Sequence, residues 1–272
     1  MAAQEDDDAL HWLRSLCEEG RFVPTDCDSD TPAGPPDGFD SAKFARGQRV
    51  AMDNIFSLAY AELVSMLMMF AFEDQTVALL STGKSDTPSK AYFRYLSTMR
   101  RVRSWYEGDI WDPKSAACKN IKSVRGMHDL VARRLAADPT SATCPSGLSL
   151  HVRASCPLGP ADGASAWAAV DSEEPPVLNQ RAMAVTQVAF VGLFILAPGC
   201  FGAHCVTEDD LEALVYVWWV LGGALGVQDR YNACGGWKEN IQEKKTLAQN
   251  NKIKLRTNPE IKSYTKNKHI EN

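Results

Sequence analysis

The stretch "NIKSVRGMHDLVARRL", residues 120–135, decides the fold class. Ile121, Val124, Val131 and Leu135 recur at the three-and-four spacing of one helix face, and His128 falls on the same stripe. Lys122, Arg125, Asp129 and Arg133 make up the opposite face, where Arg125/Asp129 and Asp129/Arg133 are spaced to pair across one turn. The segment reads as an amphipathic helix with an inward histidine. A buried imidazole needs a partner, and a backbone carbonyl, a carboxylate, a metal or a haem iron would each serve. On the residues alone, a hydrogen-bonded core histidine is the commoner outcome.

Working outward, helical patterns continue on both sides. "SDTPSKAYFRYLSTMRRVRSWYEG" opens as a helix should, with Asp86 or Thr87 as cap and Pro88 in the first turn, and Gly108 closes it. Asp112 and Pro113 repeat the start signal ahead of the His128 helix. Before these, "FDSAKFARGQRVAMDNIFSLAYAELVSMLMMFAF" predicts one polar and one deeply buried helix, its methionines filling the core. After residue 177, "VLNQRAMAVTQVAFVGLFILAP" and "LEALVYVWWVLGGALGVQDRYNAC" resume the pattern. No alternating run is long enough to build a sheet, so the chain reads as all-α.

Three apolar stretches, 55–72, 182–198 and 213–227, are broken by Glu62, by Thr186 and Gln187, and by a glycine group respectively. A membrane span needs about twenty largely uninterrupted apolar residues, so each reads as a core helix. The 272 residues carry a net charge of −5, yet residues 238–272 hold nine Lys/Arg against four Asp/Glu. The tail is therefore +5 and the remainder −10, which argues against a nucleic-acid partner. The acidic start "MAAQEDDDAL" lacks the basic and apolar regions of a signal peptide, so a cytoplasmic protein, or one peripheral to intracellular membranes, is expected. The eight cysteines show no CxxC and read as reduced thiols.

Three regions follow: a segment 1–38 with a proline- and acid-rich loop, a helical domain 39–237, and a basic tail 238–272 expected to be mobile. Within the domain, residues 136–177 interrupt the periodicity, 24 of the 42 being Ala, Ser, Pro or Gly. They are expected to form an exposed excursion outside the functional pocket, and His151 with them.

Taken in order, "YFRYLSTMRRVRSW", "SVRGMHDLVARRL", "NQRAMAVTQVAFVG" and "GGALGVQDRYNAC" resemble the family of the ER-bound oxygenases of mycophenolic acid biosynthesis and the bacterial rubber oxygenases, or latex clearing proteins. "FDSAKFARGQ" resembles arthropod members in particular. The most specific element is an arginine, a threonine four residues on and a histidine thirty residues after that: Arg94, Thr98 and His128. The resemblance implies a globin-like helical core, haem b with its iron held by His128, and Arg94 and Thr98 in the pocket. Arg94 would meet a haem propionate or bound oxygen, and Thr98 would donate a hydrogen bond to that oxygen. Dioxygen and an apolar, isoprenoid-like molecule are the implied substrates. Ser97 and Ala78 stand where rubber-cleaving relatives carry a lysine and an acid, so those two roles do not transfer. Asn179, Gln180, Thr186 and Gln187 are expected to line the core, Asp229 and Arg230 to form a helix-end ion pair. The alternative is a non-catalytic helical member that has lost its cofactor.

Overall fold

The computed structural model describes residues 2–26, 34–69, 78–137 and 176–235, with side chains from residue 9 onward. The tail and nearly all of 136–177, including His151, lie outside the described residues. Among the described residues, α-helices follow one another as α1 Ala2–Glu18, α2 Ser41–Asp53, α3 Ile55–Met69, α4 Pro88–Glu107, α5 Ala116–Ala137, α6 Gln180–Leu196 and α7 Glu208–Ala224, with one further helical turn at 78–81. Short 3-10 turns occupy Pro198–Phe201 and Asp229–Tyr231. The protein is all-α as expected; among the described residues the nearest thing to a strand is one isolated bridge, Pro24 to Asn179.

Helix ends show why the chain breaks where it does. Thr87 caps α4, accepting from the Lys90 amide, with Pro88 in the first turn and Gly108 closing the helix. Thr207 and Asp210 form a reciprocal capping box on α7. The α5 start corrects the sequence reading. Asp112 accepts the Lys114 amide in a turn, whereas Ser115 accepts from Cys118 and opens the helix.

The core is built around α7, whose residues Ala213–Trp218, Val220, Leu221 and Ala224 are all buried. α2 crosses it at Gly47, where a Cβ would run into the Ala213 carbonyl, so the contact requires a glycine. Lys43 with Glu212, and Arg46 with Asp210, close the rim of that crossing. α6 packs between α7 and α3. Its polar residues line the interior as expected: Gln187 donates to the Trp218 carbonyl and to Asn232, and Gln180 to the Pro24 and Gly226 carbonyls. Burying these amides is tolerable because the backbone groups they meet would otherwise lack partners.

α2 and α3 meet at a bend of 82°. The expectation that α3 is deeply buried is corrected. Leu58, Ala61, Glu62, Ser65 and Met69 face inward, but Phe56, Tyr60, Leu63, Leu67 and Met68 face out. Met68 is therefore no core filler. Among the described residues no single helix is long and apolar enough to cross a membrane.

Candidate functional site

α4 and α5 pack side by side, and the charge of Arg94 on α4 reaches His128 on α5. His128 projects from the middle of α5 and is half-buried. Its pKa is pushed down to about 4, first by burial, then by the positive charges of Arg94 and Arg125. Both effects disfavour the imidazolium. The ring is therefore neutral across the physiological range, which is the form that offers a lone pair to a metal.

Arg94 is not on a solvated basic face. It is half-buried, and its Nη1 donates to the Leu79 carbonyl at 2.8 Å, Thr82 Oγ1 at 3.2 Å and Ser85 Oγ at 3.1 Å. Burial holds its pKa below the usual arginine value. Thr98, one turn on, donates its hydroxyl to the Arg94 carbonyl at 3.2 Å, as helical threonines often do. Next to Arg94, the Tyr95 hydroxyl is buried with no hydrogen-bond partner among the described residues, and burial raises its pKa.

Arg125 corrects the reading of the α5 polar face. It is only 3% exposed, and its guanidinium donates to the Ala224 and Asp26 carbonyls, tying α5 to the end of α7 and to the N-terminal segment. The Asp129–Arg133 pair does form, on the outer face. His204 is exposed in the loop before α7. Asp229 and Arg230 serve other partners: Asp229 accepts from the Trp219 indole and Arg230 donates to Gln228.

Sequence reasoning passed over a second polar group. Glu62 is 5% exposed on the inner face of α3, and burial raises its pKa to about 8. Near it, burial raises the pKa of Tyr106, whose hydroxyl accepts from the Trp218 indole at 3.0 Å. Burial likewise pushes the Cys234 thiol up to about 12. The visible signal was a lone carboxylate inside a charge-free helix, which had served only to argue against a membrane span.

Haem asks the chain for one axial base, apolar walls and cations for its propionates. The neutral imidazole of His128 fits the first demand and Arg94 lies near it as a cation, whereas Arg125 is committed to the Ala224 and Asp26 carbonyls. Among the described residues no three His, Cys, Asp or Glu side chains form a metal-binding group; a haem iron needs only one protein ligand. No family model, curated protein or solved structure matches the chain.

Proposed function

We propose that the chain is a haem-dependent oxygenase with a globin-like helical core, acting with dioxygen on an apolar, isoprenoid-like substrate. The observation that carries the reading is His128: an imidazole on an apolar helix face, kept neutral to about pH 4 by burial and by Arg94 and Arg125. Haem b, when bound, supplies the iron that activates dioxygen for attack on a carbon–carbon double bond. His128 would give the lone pair of one ring nitrogen, and a hydrogen bond from the other nitrogen would fix the tautomer. Arg94 contributes positive charge at the site while its guanidinium pins residues 79–85 against α4.

A second reading, a helical protein without a cofactor, is favoured by the bonds of Arg94 and Thr98, whose donors serve the fold. Oxygen uptake separates the two. Protein reconstituted with haemin, reduced to the ferrous state, freed of excess reductant and given an isoprenoid olefin such as squalene should consume oxygen, and His128→Ala should not. Equal uptake by both proteins would refute the role of His128; none in either would favour the second reading.

A further inference from the structure

We propose that the outer face of α3 is the seam of an antiparallel homodimer, in which α3 of one copy lies along α3 of a second. Phe56, Tyr60, Leu63 and Leu67 follow one another at steps of four, three and four, the spacing of a coiled-coil seam. All four, with Met68 beside them, are between 56% and 88% exposed. No charged side chain of α3 is exposed, since its single carboxylate, Glu62, points into the core.

The identity of the partner follows from the order of side chains along the stripe. Turned antiparallel on itself about a two-fold axis between Ala61 and Glu62, the helix brings Phe56 opposite Leu67 and Tyr60 opposite Leu63. Every layer then sets a ring from one copy against an aliphatic chain from the other. These are also the mixed layers of an antiparallel coiled coil. Met68 falls next to the opposing Phe56 ring, a favourable sulfur–aromatic contact. The pattern is self-complementary, as an isologous interface must be.

Size sets the strength. At roughly 180 Å² for a fully exposed side chain, within the range for large apolar residues, the five residues present about 600 Å² per copy. Two copies would bury about 1,200 Å², the lower limit for a specific interface, so a reversible dimer in the micromolar range is expected. A bilayer surface suits the face less well. Interfacial helices carry a cationic rim, which α3 lacks, and residues 1–237 have a net charge of −10.

Sedimentation equilibrium of the full chain between about 1 and 200 μM tests this. The wild type should move from 29.9 kDa toward twice that mass as concentration rises. Leu63→Glu and Tyr60→Lys, with unchanged helical circular dichroism, should each hold the chain monomeric. Tyr60→Lys combined with Leu63→Glu places opposite charges across both central layers and should restore the dimer. Tyr92→Glu, an exposed aromatic away from the stripe, should leave it intact. A wild-type chain that stays monomeric at the highest concentration overturns the proposal. So does a double variant that fails to recover, and so does stripe-dependent flotation with phosphatidylcholine vesicles, which would assign the face to lipid.

Discussion

Replacing Glu62 by glutamine should stabilise the protein, and by an amount that grows with pH. In the fold Glu62 holds its proton up to about pH 8, against an ordinary value of 4.5, because burial penalises the carboxylate. Between these values the native state binds a proton that the unfolded chain releases. Stability therefore falls as pH rises through that window and levels off above pH 8. Each pH unit is worth a little over ~1 kcal/mol, so the accumulated cost at pH 7 is about 3 kcal/mol. Glutamine has nearly the same shape and cannot ionise, so it removes the cost. Urea unfolding of both proteins at pH 5, 6, 7 and 8, followed by helical circular dichroism, measures the difference. His128 titrates in the same curves with the opposite sign, its depressed pKa making stability fall as pH drops from 6.5 toward 4. Subtracting wild type from Glu62→Gln cancels that contribution. The difference should be within about 1 kcal/mol at pH 5 and rise steadily to pH 8. A difference that stays flat, or that favours wild type at pH 8, would refute the claim that Glu62 is a desolvated, protonated carboxyl.

Gly47→Ala should destabilise by about 1–3 kcal/mol in the same assay, because the added methyl meets the Ala213 carbonyl and must force α2 from α7; an unchanged midpoint would contradict the crossing. Arg94→Ala should release residues 79–85 from α4, seen as faster protease cleavage within them at unchanged helix content, since one guanidinium serves three acceptors there. Cleavage at the wild-type rate would mean that other contacts hold this segment.

What was legible in the sequence was local. The three-and-four spacing at Ile121, Val124 and Leu135 gave the α5 helix, and Thr87, Pro88 and Gly108 gave both ends of α4, because capping is decided within one turn. The side of a helix that faces the core is read from contrast between its faces, and α3 has little. Its outward stripe is as apolar as its inward one, so periodicity could not expose Phe56 or Leu67. Arg125 was assigned to solvent by charge alone, yet its acceptors lie 99 residues away on either side, at Asp26 and Ala224. No spacing within α5 encodes carbonyls that distant. The same holds for Glu62, buried on the inner face of α3, since nothing within that helix says which side packs inward. At the site, the charge of Arg94 acts on His128 across α4 and α5, while Thr98 bonds the Arg94 carbonyl of its own helix. The triplet spacing said nothing of the bonds Arg94 makes to Leu79, Thr82 and Ser85.

The most direct test of the central claim, that His128 is a haem ligand, is a titration of the purified chain with haemin, followed by its Soret absorption. The expected result is a sharp Soret band that saturates at one haemin per chain, and that His128→Ala shifts or abolishes while circular dichroism shows the helices intact. A band that never saturates, or one identical in His128→Ala, would contradict it.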